Sequence, residues 1–227
     1  MKMMTNLFST FDPSTSMSFS LNWLNSIFFN LYLPNMFWLI PSRYNMMWIT
    51  MNSFVKKEMK VNLNKFINKV NIMMFNTIFT FITLNNFMGL FPYIFTSSSH
   101  MTFSLSLAMY MWCSFMMFGW MFNYKYMLIH LTPQGTPNIL MPFMVLIETI
   151  SNLIRPITLA IRLSANIIAG HLLISLISSS TNSSNSYILI LIIIILQTFL
   201  MSLEIAVSII QGYVFTILST IYSSETN

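Results

Sequence analysis

The sequence predicts an all-α integral membrane protein, and three observations predict it. The chain has 227 residues, is 56% hydrophobic and only 7% charged, and has a mean hydropathy of +0.69. A soluble domain carries about 25% charged residues, so a chain this poor in charge cannot clothe a soluble surface, and its composition fits lipid as solvent. The apolar residues also gather into five stretches, several of them at or beyond the roughly 20 residues that a span requires. Finally, most of the lysines lie in one cluster between Lys56 and Lys69, the way a membrane protein marks the side of the bilayer on which a loop stays.

The whole chain, 1–227, reads as a single membrane domain. Its first segment, 1–20, lacks the basic stretch and short apolar core of a secretory signal and is not Arg-rich like a transit peptide. A first span is expected over Leu21–Ile40, interrupted by Asn30 and Pro34. A surface helix is expected over Lys56–Val70. There Leu63, Phe66, Ile67 and Val70 fall at i, i+3, i+4 and i+7, with Lys and Asn filling much of the opposite face. Such a helix lies in the membrane surface with its lysines toward water and headgroups; a solvated linker is the competing reading.

A helical hairpin is expected over 72–122, from Ile72–Phe95 and Met101–Phe122, joined by the polar TSSSH of Thr96–His100. Its outer ends carry Lys56–Lys69 and Lys125, and its connecting loop has no Lys or Arg. Both outer ends are therefore assigned to the matrix or cytoplasmic side. The last two apolar stretches, Ile139–Ile177 and Tyr187–Ile221, form a pair over 139–221, separated by the linker SSSTNSSNS. Straight helices of those lengths run roughly 50–60 Å, against a hydrocarbon core about 30 Å thick. They must be broken, with Pro156 and Gly170 as the candidate bends, or tilted far beyond the usual ~20°.

Several function classes fall away. The formal charge of +5 and the pI near 9.4 arise mostly from the one lysine cluster, so no nucleic-acid face is expected. The one cysteine, Cys113, excludes an internal disulfide framework and a cysteine-based metal cluster; it reads as a small buried apolar residue. His100 and His130 read as exposed residues of polar loops. No histidine pair stands at helical spacing on facing spans, so haem ligation is unsupported. The chain also has no Gly-rich phosphate loop, no HExxH and no nucleophile elbow. No cofactor, no metal and no catalytic residue is expected.

What remains is a set of charges in lipid. Glu148, Arg155, Arg162, His171 and Glu204 lie within the two long apolar stretches, together with Asn166 and Gln211. A charge at the centre of a membrane helix costs at least ~2.5–3.5 kcal/mol on insertion scales, and the default reason for one is a polar pathway or an ion relay. Glu148, Arg155 and Arg162 recur every seven residues and so share one stripe of a helix. Asn166 lies one turn beyond Arg162 on that stripe. Thr158, Ala165 and Ala169 sit on or beside it, small enough to admit another helix. Glu204 and Gln211 are likewise seven apart, with Ser208 between them. His171 is nine residues from Arg162, on the opposite side of an ideal helix, which suggests two separate polar environments.

Blander readings stand beside these. Glu148 and Arg155 can form a partly buried ion pair, or Arg155 can snorkel to the membrane surface. His171 can be a hydrogen-bonded core histidine, and Asn166 and Gln211 can be interhelical glue. Arg162 resists such a reading, because its neighbours in TLAIRLSANIIAGHLL are apolar and no acidic residue stands one turn away.

The stretch IETISNLIRPITLAIRLSANIIAGHLL, Ile147–Leu173, together with LEIAVSIIQGYVFTILSTIY, Leu203–Tyr222, resembles the signature of the F-type ATP synthase subunit a family. LTPQGTPN, Leu131–Asn138, resembles its mitochondrial form; the heavy use of Met and Phe (22 and 21) against 5 Gly suits the AT-rich genome of an organelle. The resemblance is dense from Leu131 to Tyr222 and looser upstream. It implies a non-catalytic, multi-pass subunit of the mitochondrial inner membrane, whose two long helices are steeply tilted beside a rotor ring of c subunits. Peripheral-stalk and other Fo membrane subunits, membrane lipid and the transported proton are the remaining implied partners. By the same resemblance Arg162 is the essential arginine and Asn166 its companion. His171 and Glu204 line one aqueous half-channel, Gln211 is the family's glutamine on the last helix, and Glu148 lies near the second half-channel. Two readings of other classes compete: a proton-translocating subunit of a redox complex or antiporter, and a purely structural anchor.

Overall fold

The computed structural model describes residues 7–16, 19–34, 37–63, 69–91, 94–132, 137, 139–181 and 186–226. Among the described residues the architecture is helical throughout, as the composition predicts. The chain runs through a short α1 (Asn25–Phe28), then α2 (Arg43–Asn62), α3 (Lys69–Gly89), α4 (Met101–Phe122), α5 (Tyr124–Leu131), α6 (Met141–Thr181) and α7 (Tyr187–Thr226). Three of these, α4, α6 and α7, are long and apolar enough to cross a membrane. The 21 residues of α3 give it about 31 Å of length, but its asparagines keep it below the apolarity of the other three.

The expected first span does not form as one helix. From Leu21 to Tyr32 the chain makes a 3-10 turn, the single turn of α1 and a second 3-10 turn. Leu33 is then extended, with φ −63° and ψ 125°. The cause is Pro34, which disfavours helical geometry in the residue before it. Beyond it Phe37–Ile40 stand outside any helix and are 84–100% exposed. The preceding segment is tied to the body of the fold at His100, whose Nε2 lies 2.9 Å from the Phe11 carbonyl oxygen. Trp23 packs on Phe95 and His100 at 5.5 and 5.1 Å between ring centroids.

The surface helix is displaced along the chain. α2 starts at Arg43, where the Ser42 hydroxyl accepts a hydrogen bond from the Asn45 N–H at 3.3 Å as an N-cap. It ends at Asn62, and Leu63 is extended, so the stripe expected from Leu63 to Val70 does not run along one helix; residues 64–68 of it lie outside the described residues. The face that α2 does bury is Val55 and Met59, continued by Leu63. Lys57 and Lys60 are exposed on the other side, so the amphipathic principle holds with a different register.

Both long helices are unbroken over their described lengths: α6 has 41 residues and α7 has 40. Pro156 is buried inside α6 without ending it, and Gly170 lies within the same helix. Of the two solutions to their excess length, breakage is not the one used.

Packing is set by small residues. α7 lies against α3, and α4 against α6, while α6 and α7 pack on each other. The buried face of α7 runs through Ser208, Gly212, Thr216, Ser219, Thr220 and Ser223. Those hydroxyls donate back to carbonyls three or four residues earlier, so they approach a neighbour without an unmet donor. At Gly212 an added Cβ would collide with the Thr83 side chain of α3 and lie 3.5 Å from its backbone nitrogen. In lipid such close approach supplies the association energy, because apolar burial between helices gains little there.

The expected hairpin is therefore looser than its short loop suggests. α3 and α4 meet through ring contacts, Phe75 with Phe115 and Phe81 with Phe103 at 5.8 and 5.9 Å, while each packs mainly against a long helix. Thr96–Ser99, read as a polar connection, is buried against α6 and α3, and His100 is half-buried. His130 is exposed as expected, but it belongs to α5 and not to a loop. Cys113 is exposed on the outer face of α4, not buried; the inward face of that helix is Ser104, Ala108 and Met111.

A polar seam between the two long helices

The polar residues singled out in the sequence separate into three places on α6 and α7. In the middle, Asn166 of α6 donates its Nδ2 hydrogen to Oε1 of Gln211 on α7 at 3.1 Å. Gln211 is buried and Asn166 is exposed, so the bond runs from the outer face of α6 into the interface. The interhelical role and the channel role of this pair are compatible, because it also lines a cavity.

That cavity, about 220 Å³, lies between α6, α7 and the C-terminal end of α3. Asn166, Glu204, Ser208 and Gln211 supply its polar lining, with Asn86 of α3. Glu204 enters it over Gly170: a Cβ at that position would lie 2.7 Å from the Glu204 carboxyl carbon, so glycine makes the room that the carboxylate occupies. Oε2 of Glu204 is buried with no hydrogen-bond partner among the described residues. The same holds for Nε2 of His171, whose ring stands edge-on to Phe11 at 6.0 Å. His171 is half-buried, does not line the cavity, and follows Gly170 directly.

Arg162 lies on the outer face of α6, on the stripe of Asn166 and Ala169 and away from His171. It is exposed, and its exposed neighbours are Thr158, Ile161, Ala165 and Ala169. Among the described residues it makes no ion pair and no hydrogen bond. The separation from His171 expected from nine-residue spacing is thus present in the burial pattern. The third place is the end of the seam where α7 finishes. There Arg155 pairs with Glu148 at 3.5 Å and with Glu225 of α7 at 2.6 Å, its guanidinium 5.3 Å from the Tyr222 ring centroid. Arg155 engages these partners and so differs from Arg162, although both share one heptad stripe.

Two features were not anticipated. Asn85 and Asn86 are 2% and 1% exposed, and none of their side-chain nitrogens and oxygens has a partner among the described residues. An asparagine pair inside an apolar run was the available signal. Glu225 lies past the last apolar residue, in a segment that reads as a polar tail, and no local pattern marks it.

Comparison with known proteins places these features in context. The family model described as ATP synthase A chain matches residues 15–224. The chain is 55% identical over 225 residues to ATP synthase subunit a of Drosophila melanogaster, covering 99% of this chain and 100% of that one. Against ATP synthase subunit a of Locusta migratoria the identity is 56% over 224 residues, covering 98% and 99%. Against that of Aedes aegypti it is 53% over 226 residues, covering 99% and 100%.

Proposed function

The chain belongs to the ATP synthase A chain family, and we propose that it is the proton-conducting stator subunit of the Fo sector in the mitochondrial inner membrane. It is non-catalytic: it passes protons to and from carboxylates on a rotor ring, whose turning drives ATP synthesis elsewhere in the complex. The observation that carries this reading is Arg162, exposed on a face of small and apolar residues and unpaired among the described residues. A guanidinium so placed in a membrane helix calls for a carboxylate from another chain, because lipid cannot solvate it.

The mechanism is electrostatic. A ring carboxylate arriving opposite Arg162 is favoured in its ionised form by the adjacent cation and so releases its proton. Thr158, Ala165 and Ala169 let the ring helix approach closely enough for that pairing. Protons enter by a half-channel at the seam of α6 and α7, where Asn166, Glu204 and Gln211 line the cavity and half-buried His171 follows its lining residue Gly170. Buried polar atoms such as Glu204 Oε2 and His171 Nε2 are ordinarily satisfied by water when protein offers nothing, which suits a hydrated path. They leave after a nearly full turn through a second half-channel at the Glu148 end. Arg162 separates the two and blocks a direct leak. Each proton contributes about 2.3 kcal/mol per 100 mV, so several are required for each ATP.

The long helices serve this task by tilting. A helix of about 60 Å in a 30 Å core lies far from the membrane normal and so follows the curved side of a ring. The test is Arg162→Gln in the assembled complex. Abolished ATP synthesis with normal assembly is expected, and retained synthesis refutes the reading and favours a structural anchor.

A further inference from the structure

At the end of the seam, one guanidinium is shared between two carboxylates on different helices. Arg155 Nη1 reaches Glu225 Oε2 at 2.6 Å, and Nη2 reaches Glu148 Oε1 at 3.5 Å. Charge-assisted bonds between nitrogen and oxygen are ordinarily about 2.7–2.9 Å, so the guanidinium is committed to Glu225 and holds Glu148 loosely. The three side chains are 28–33% exposed, so none is sealed within the fold.

Glu225 is itself held in place. The last turn of α7 is seated between α4 and α5: Asn123 Nδ2 donates to the Thr226 carbonyl oxygen at 3.4 Å. A Cβ on Gly119 would lie 3.4 Å from Thr226 Cβ and 3.0 Å from the Met127 sulfur. The Tyr222 ring, one turn before Glu225, faces the guanidinium at 5.3 Å and adds a cation–π contact. A cavity of about 30 Å³ opens beside Arg155 and Glu225.

We propose that Glu225 is a positioning residue for proton exit: it draws Arg155 toward α7 and leaves Glu148 free to take up and release protons. This rests on the reading of Glu148 as an exit-path group. Without Glu225 the guanidinium is left with Glu148 alone, and a full ion pair holds that carboxylate ionised. Of the groups facing the triad, α5 contributes His130, α7 contributes Tyr222 and Glu225, and α4 contributes only Trp112, Phe115 and Met116. His130 is the ionisable side chain that α5 adds to this cavity, and its substitution by Gln is the control.

The experiment measures proton flux against matrix-side pH in proteoliposomes containing the whole complex. Flux falls at low pH when Glu148 stays protonated, so a tighter pair with Arg155 moves that acid limb to lower pH. For Glu225→Gln a displacement of about one pH unit is expected, the scale on which a single cation shifts a carboxylate. Glu225→Asp, which keeps the charge and withdraws it by one methylene, is expected to shift the limb the same way by less. The paired variant Arg155→Gln/Glu225→Gln returns the limb to its native pH or above, because no guanidinium remains to capture Glu148. A merely structural tie predicts the opposite order, with the paired variant no better than the single one and no movement of the limb. That result, or an unmoved limb in both single variants, overturns the proposal. Glu148→Gln separates the two layers: unchanged flux there removes the exit reading itself, whereas lost flux with an unmoved Glu225→Gln limb removes only the role of Glu225.

Discussion

Arg162 and Arg155 sit seven residues apart on one helix, yet they meet opposite circumstances. Arg155 is paired closely with Glu225 and loosely with Glu148, and Arg162 is exposed among small and apolar side chains without an ion pair among the described residues. Local spacing could put both on a stripe, but only the fold distinguishes them, because Glu225 comes from a helix 70 residues away. The same scale governs Glu204. Its carboxylate occupies the space above Gly170, so Gly170→Ala must displace it. A displacement near 1 Å at a transfer site costs roughly 10- to 100-fold in rate. ATP-driven proton pumping by the assembled Gly170→Ala complex is expected to fall by that factor, and a rate within twofold of native would show that the position of the carboxylate is immaterial. Asn166→Leu removes the donor to a buried Gln211 and leaves its oxygen unmet. A loss of about 1–3 kcal/mol follows, readable as a lowered thermal midpoint of the membrane sector.

At the scale of elements, the sequence was most legible where one property governed the outcome. Apolar length alone located α4, α6 and α7, since nothing competes with the bilayer for segments of that kind. It failed at Leu21–Ile40, where Pro34 forces Leu33 out of helical geometry and composition counts less than one residue's backbone. It misplaced α2, because the periodicity of Leu63–Val70 describes a helix that the backbone ends at Asn62. The polar residues of the site were visible as charges in lipid, whereas Asn85 and Asn86 were hidden by the apolar run around them. What holds the elements together was legible only in part: a helix rich in Ser, Thr and Gly announces close packing without naming its partner. Gly212 now supplies the name, since any side chain there meets Thr83. Gly212→Val is expected to push α3 from α7 and destabilise the subunit by about 1–3 kcal/mol. Blue-native gels would show reduced incorporation into the complex, and undiminished incorporation would mean that the α3–α7 contact is dispensable.

Across the whole molecule, charge and shape give one orientation. Lys57, Lys60 and Lys125 are exposed and flank the α3–α4 unit at its two outer ends, which the positive-inside rule assigns to the matrix or cytoplasmic side. A membrane-impermeant amine reagent is expected to label them in inside-out particles and not in mitoplasts; labelling in mitoplasts would invert the topology. With that orientation, α6 presents Arg162 outward from one face and half-buries His171 on another, while α7 closes the seam through Gln211 and, at its far end, Glu225. An exposed cation without an ion pair among the described residues, beside a polar cavity that Asn166 and Ala169 of its own stripe help to line, is the arrangement on which the proposed two half-channels rest. Its direct test is passive proton flux through the reconstituted membrane sector with the ATPase head removed, comparing Arg162 with Arg162→Ala at equal assembly. Loss of driven rotary transport, or its replacement by an uncoupled leak, is the expected result. Flux and coupling both unchanged would contradict the role assigned to Arg162 and with it the separation of the two paths.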